Sequence, residues 1–306
     1  MERRHFLQQT TLASLAASTF SAAASPKNHS ADEDNNTPFK LDYAFHDGMF
    51  AQHAGGDFLD QIKFAYDQGF RSIEDNGMMA RTVEMQQKIG DLLAKLGMRM
   101  GVFVITTDGW HWKTSLATGK QEWKDKMKKD CYTAIEVAKR VNAKWMTVVP
   151  GNYDRSQPIG LQTGHVIDAL KMGAEILDPK GLTMVLEPLS DNPDLFLRHS
   201  DQTYEICRAV GSPACKILYD IYHMQRNEGN LIANMDKCWD EIAYIQIGDN
   251  PGRKEPGTGE INYRNVFGHL YRKGYKGVMG MEHGIAGKGK EGEMALIKAY
   301  RDADSF

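Results

Sequence analysis

Residues Gly181-Leu182-Thr183-Met184-Val185-Leu186-Glu187-Pro188-Leu189 set the pattern for the chain. The glycine stands just after a helical stretch at 161–177, where a helix C-cap belongs. A short apolar run follows and ends on an acid. The same unit recurs in both directions, with apolar runs at 41–45, 72–74, 99–104, 145–149, 183–187, 216–220, 244–247 and 277–281. Amphipathic stretches lie between them near 58–68, 82–96, 123–141, 161–177, 200–210, 231–238, 263–273 and 293–302. Gly69, Gly97 and Gly274 repeat the punctuation of Gly181. Strands alternating with helices imply α/β architecture with a parallel sheet. Eight strands, each followed by a helix, predict a single-domain (β/α)8 TIM barrel over 41–306. A doubly wound open sheet is the alternative, but no glycine-rich phosphate loop follows the first strand.

The 306 residues suffice for one large domain and a short leader. With 42% hydrophobic and 25% charged residues, the composition is that of an ordinary globular protein. The formal net charge is −3, and the lysines of 124–129 are interrupted by Asp125, with Asp130 just beyond. That stretch reads as a solvated helix face, so nucleic acid is excluded as a partner and a small neutral or anionic molecule expected. Residues 1–24 carry Arg3-Arg4, a short apolar stretch and Ala22-Ala23-Ala24, the layout of a twin-arginine-like export signal. Glu2 stands where that motif carries Ser or Thr, and a frayed amphipathic helix is the competing reading. The apolar stretch is too short for a permanent membrane span. Residues 25–40 read as a polar linker, and the expected location is periplasmic. Cys131 and Cys238 read as small core residues, whereas Cys207 and Cys215 flank a Gly-Ser-Pro turn and could bridge in an oxidising compartment.

In a barrel of this kind, chemistry sits at the C-terminal ends of the strands. Four consecutive strands deliver Glu187, Asp220, Gln246 and Glu282 there. Converging carboxylates repel one another and lose hydration unless a cation or proton compensates. Three carboxylates and an amide are hard oxygen donors, which favours one Mg2+ or Mn2+ ion over zinc or copper. Asp220 alone reads equally well as the cap of a following helix, an explanation that fails for four residues in a row. His223, three residues past the strand, can offer its imidazole to a substrate oxygen. The Gly/Pro-stiffened loop 248–263 can hold Arg253 over the mouth for a carboxylate or hydroxyl pair. Glu74 ends the second strand, and His46 and His53 follow the first. Trp110-His111-Trp112 follows the third, suited to covering a small polyol or keto acid or, alternatively, to plugging the barrel top. Glu74 and His111 join His223 and Arg253 as expected substrate-binding residues.

The segments Leu186-Glu187-Pro188-Leu189, Asp220-Ile221-Tyr222-His223-Met224-Gln225 and Ile245-Gln246-Ile247-Gly248-Asp249, with the Pro251–Tyr263 run behind the last, resemble the hydroxypyruvate isomerase family. That family lies within the xylose isomerase-like superfamily of sugar isomerases and epimerases. The resemblance covers residue 41 to the end and is densest from Glu187 to Glu282. It implies that Glu187, Asp220, Gln246 and Glu282 are metal ligands, Glu187 and Glu282 the acid/base pair, and His223 and Arg253 substrate contacts. The related ketose 3-epimerases usually carry His where this chain has Gln246, which points toward the hydroxypyruvate isomerase side. The expected activity is metal-dependent isomerisation of a small α-hydroxy carbonyl compound, a carbohydrate or keto acid, through an enediolate. Epimerisation or elimination on the same site is the alternative, and a non-catalytic sugar-binding barrel a more distant one. Homo-oligomerisation is compatible with these features. The export signal is the misfit, because hydroxypyruvate is a cytoplasmic metabolite.

Overall fold

The computed structural model describes residues 36–105 and 115–306. The expected export signal, most of the expected linker and the Trp110-His111-Trp112 group lie outside the described residues. The strands are β1 (Asp42–Phe45), β2 (Ser72–Ile73), β3 (Arg99–Met100), β4 (Val102–Val104), β5 (Trp145–Val148), β6 (Thr183–Leu186), β7 (Cys215–Asp220), β8 (Ile242–Gln246) and β9 (Val278–Gly280). All pair in parallel in the order β3-β2-β1-β9-β8-β7-β6-β5-β4. Residues 99–104, read from the sequence as one strand, are two: β3 pairs with β2, and β4 with β5. Gly101 makes the break, and a Cβ there would stand 2.3 Å from the Tyr244 hydroxyl, which occupies the space a side chain would fill. Counted as one position, the halves give eight places around a nearly closed barrel.

Among the described residues ten α-helices accompany the strands: α1 (Ala51–Ala54), α2 (Phe58–Asp67), α3 (Val83–Leu96), α4 (Gln121–Val141), α5 (Ile159–Leu177), α6 (Ser200–Val210), α7 (Ile221–Asn227), α8 (Leu231–Lys237), α9 (Tyr263–Arg272) and α10 (Gly289–Ala303). Asp57, Thr82 and Asn262 cap α2, α3 and α9 through side-chain oxygens that accept backbone N–H groups. Gly97 ends α3 with φ +64°, a left-handed turn that costs other residues strain. Helix α7 is too short to show a clear apolar period, and the sequence reading missed it. Its start is fixed by Asp220, whose Oδ1 accepts the amides of Tyr222 at 2.7 Å and His223 at 3.3 Å. Among the described residues no helix is long and apolar enough to cross a membrane.

Two apolar layers hold the barrel. The larger lies between sheet and helices, where Tyr43, Phe45, Phe50, Phe70, Phe267 and Tyr300 pack ring against ring. The smaller fills the lumen with Ala44, Val102, Val185, Leu218, Tyr244 and Val278. Successive side chains on a strand alternate faces, so residues two positions later share the lumen face. Two steps on from Ala44, Val185, Leu218 and Tyr244 stand His46, Glu187, Asp220 and Gln246; Glu282 lies four on from Val278. The strand period thus converts an apolar plug below into a polar ring above. All four cysteines are buried free thiols. A hydrogen bond with Cys215, reinforced by burial, holds the Cys207 thiol well above its ordinary pKa.

Helices α3 and α4 meet through Gly90, where a Cβ would fall 1.9 Å from the backbone oxygen of Arg140. A backbone atom cannot swing aside, so Gly90→Ala should cost about 1–3 kcal/mol by overpacking. Urea unfolding of the variant checks this; an unchanged midpoint would show that the helix pair is not so closely packed.

Candidate active site

Glu187, Asp220, His223 and Gln246 are all buried at the C-terminal rim. Register brings them together: Asp220 pairs with Gln246 across β7 and β8, and Gln246 with Gly280 across β8 and β9. Glu187, Asp220 and His223 each present a ligand atom within 4.8 Å of the others. The side chain of Glu282 is 18% exposed, so the ring has one wetter side, facing a cavity of about 560 Å³ lined by His46, Asn76, Arg253 and Glu282.

The two readings of Asp220 are both realised, on different oxygens. Oδ1 caps α7, while Oδ2 points inward, 3.1 Å from Arg253 Nη2 and 3.4 Å from His223 Nε2. The Ser190 amide donates to His223 Nδ1 at 3.2 Å, and the Ser190 hydroxyl lies 2.8 Å away. A backbone N–H only donates, so Nδ1 accepts and the neutral ring carries its proton on Nε2. Burial lowers the His223 pKa, which keeps that tautomer neutral. Nε2–H is therefore a donor aimed into the ring, where it finds no hydrogen-bond partner among the described residues. That role suits a substrate oxygen better than metal ligation, despite the proximity of His223 to the carboxylates.

Gln246 donates through Nε2 to Glu74 Oε1 at 2.7 Å. Its Oε1 is buried with no hydrogen-bond partner among the described residues. With Gln246 paired to Asp220 in register, this orphaned carbonyl oxygen adds a further hard donor to the rim that carries Glu187, Asp220 and Glu282, and the chemistry of that donor set fits a divalent cation. Glu74, read from the sequence as facing substrate, is fully buried. It accepts a hydrogen bond from Tyr244 at 2.6 Å, and His46 Nε2 lies 2.9 Å from Oε1. Burial pulls the His46 pKa down, but the Glu74 carboxylate outweighs it and the net direction is up.

Burial, then the charges of Glu282 and Asp220, push the Glu187 carboxyl well above its ordinary range. Burial raises Glu282 to about 7, with Arg253 opposing. Arg253 donates to Asp220 Oδ2 at 3.1 Å, to Glu282 Oε2 at 2.8 Å and to the Glu282 carbonyl at 3.1 Å, and it lies over the Tyr222 ring. Asn76 donates to Glu282 Oε1 at 2.8 Å.

Sequence reasoning missed Asn76, Ser190 and Asp249. Asn76 lies two residues past Glu74, so the strand period pointed to it; Ser190 offered no such signal. Asp249 is the buried staple of the 248–263 loop. Its carboxylate accepts amides from Asn250 at 2.9 Å, Ile261 at 3.1 Å, Gly257 at 2.9 Å and Gly259 at 2.8 Å. Its backbone pairs with Lys254 and Arg253, and Arg253 takes φ +49° at the turn. The loop holds Arg253 at the mouth because one acid gathers its amides.

Asp249→Ala leaves those amides without acceptors and should cost on the order of 2–4 kcal/mol. Chemical denaturation and mapping of protease cleavage within 250–262 test this; wild-type resistance would remove the staple from the account. The raised carboxyls also predict a pH dependence. Folded Glu187 and Glu282 keep protons that unfolded carboxylates have lost, so each contributes stability that declines as pH rises from about 4.5 toward 7. In chelator-treated protein, Glu282→Gln should flatten the fall in Tm across that range. Parallel wild-type and variant curves would contradict the assignment for Glu282.

Residues 62–300 match the family model for the xylose isomerase-like TIM barrel. The chain is 35% identical over 156 residues to the hydroxypyruvate isomerase of Escherichia coli strain K12, covering 49% of this chain and 59% of that one. To the 2-oxo-tetronate isomerase of Pectobacterium atrosepticum it is 28% identical over 240 residues, covering 77% and 89%. Among solved structures, the 3-keto-D-glucoside 4-epimerase of E. coli superposes with a TM-score of 0.72 at 17% identity, covering 87% of this chain and all of that one. The family match spans well over half of the chain, and the parallel barrel strand order agrees with it: the chain belongs to the xylose isomerase-like TIM barrel family.

Proposed function

We propose that this protein is a divalent-metal-dependent isomerase of a small α-hydroxy carbonyl compound. The observation that carries the reading is the cluster of Glu187, Asp220 and His223 ligand atoms within 4.8 Å of one another, with Glu282 joined to Asp220 through Arg253 and the orphaned Gln246 Oε1 on the same rim. Mg2+ or Mn2+ suits four hard oxygen donors better than softer metals. Bound there, the cation would supply electrophilic stabilisation of negative charge on a substrate oxygen.

The chain's own groups supply the rest. One of Glu187 and Glu282 takes the proton from the hydroxyl-bearing carbon, and the electron pair forms a carbon–carbon double bond as the carbonyl π pair moves onto oxygen. The other glutamate delivers a proton to the former carbonyl carbon. The first carbon becomes the new carbonyl, and its hydroxyl proton is released to the neighbouring oxygen. His223 holds the oxygens by donation from Nε2.

A keto acid is favoured over a neutral sugar. Arg253 and Arg226 both lie over the Tyr222 ring, at 4.9 and 5.4 Å from its centroid, and Arg226 is 41% exposed beside the site. Two guanidiniums there suit a terminal carboxylate. The relatives named hydroxypyruvate isomerase and 2-oxo-tetronate isomerase support the same class. Epimerisation or elimination would use the same enediolate with a different final step. The leader-like first 24 residues support an exported enzyme, whose substrate then reaches the periplasm.

Mature protein supplied with Mg2+ or Mn2+ should turn over one of hydroxypyruvate, 2-oxo-tetronates, ketoses or 3-keto-glycosides and exchange solvent deuterium into its α carbon. Glu282→Gln should keep the fold and lose turnover by about 10²–10⁴-fold. A variant within a few-fold of wild type would overturn the acid/base assignment. Binding of ligand without exchange at any carbon would favour a sugar-binding barrel instead.

A further inference from the structure

Gln246 is the one proposed ligand whose two ends differ chemically. A carboxylate offers oxygen whichever way it turns, but an amide offers either a carbonyl oxygen or two N–H donors. Turned the wrong way, Gln246 would present positive hydrogens to a cation. Orientation is therefore part of the site, and a neighbour must impose it.

Glu74 is placed to do so. It stands just after β2, fully buried, and its carboxylate accepts from Gln246 Nε2 at 2.7 Å. Oε2 already accepts from Tyr244 and Oε1 accepts from Gln246 Nε2, so the amide nitrogen faces Glu74 and the carbonyl oxygen faces the ring, where it is found without a hydrogen-bond partner among the described residues. Glu74 is itself fixed. The Tyr244 hydroxyl donates to Oε2 at 2.6 Å, and burial with the nearby Glu74 charge keeps that phenol protonated. His46 Nε2 lies 2.9 Å from Oε1. Two glycines clear the space: a Cβ at Gly280 would lie 1.8 Å from Glu74 Oε2, and one at Gly101 would lie 2.3 Å from Tyr244 Oη. Gly280 at the end of β9 and Gly101 between β3 and β4 thus carry no side chain where this carboxylate and its tyrosine need the space.

We propose that Glu74 is a positioning residue that locks the Gln246 amide with its carbonyl oxygen toward the cation, and that it does not itself touch substrate. This rests on the metal reading above. Partners that orient a metal ligand typically carry a 10–100-fold effect on affinity.

The test is Mn2+ titration by calorimetry on the wild-type protein, Glu74→Leu, Gln246→Leu and the double variant, with thermal unfolding of each. Each single change should weaken Mn2+ by about 10–100-fold, and the double should be no weaker than the worse single, because Glu74 acts through Gln246. A swap of the pair, Glu74→Gln with Gln246→Glu, should bind Mn2+ within a few-fold of wild type. The new carboxylate needs no orientation and gains a donor from the new amide. Gln246→Glu alone sets two carboxylates against each other and should lose stability.

Wild-type affinity in Glu74→Leu, or losses that multiply in the double variant, would overturn the positioning role. If Glu74→Leu does not fold, the swap decides: one that binds no better than Gln246→Glu alone overturns it. Failure of the wild-type protein to bind Mn2+ overturns the metal reading, and this inference with it, and is distinct from both other results.

Discussion

Acidic oxygens crowded into a low-dielectric barrel mouth repel one another and lose hydration, and most of the site's geometry follows from how that cost is met. The Arg253 guanidinium spans Asp220 and Glu282. Protons offset the remainder, since burial raises the Glu187 and Glu282 carboxyls. Both devices are of a kind that a divalent cation would replace. A site that holds its acids this way is prepared to receive positive charge.

Below the ring, the same strands solve a different problem. Ala44, Val102, Val185, Leu218 and Val278 fill the lumen with apolar atoms, and Tyr244 joins that packing while its hydroxyl reaches up to Glu74. The tyrosine therefore couples the apolar floor to the polar ring. Gly101 and Gly280 show the cost of this arrangement in the sheet, because β3 and β4 separate where Gly101 admits the hydroxyl. The loop above is built by similar economy: Asp249 gathers four amides and fixes the turn from which Arg253 reaches the mouth.

The sequence by itself determined the barrel, because strand and helix periods, and glycines such as Gly97 that end helices, are local properties of the chain. It also placed Glu187, Asp220, Gln246 and Glu282 at one rim, since strand ends in a parallel barrel all face the same way. It left the short helix α7 and the division at Gly101 unread, because neither carries enough residues to show a period. Only the tertiary structure decided what each polar atom does. The tautomer of His223 depends on the amide of Ser190, 33 residues away, and the direction of the Gln246 amide on Glu74, 172 residues away. Asp220 divides its two oxygens between a helix cap and the site. Residue type and spacing reveal which groups converge, whereas hydrogen-bond direction is set by partners distant in sequence, and it is direction that makes an oxygen a ligand or a nitrogen a donor.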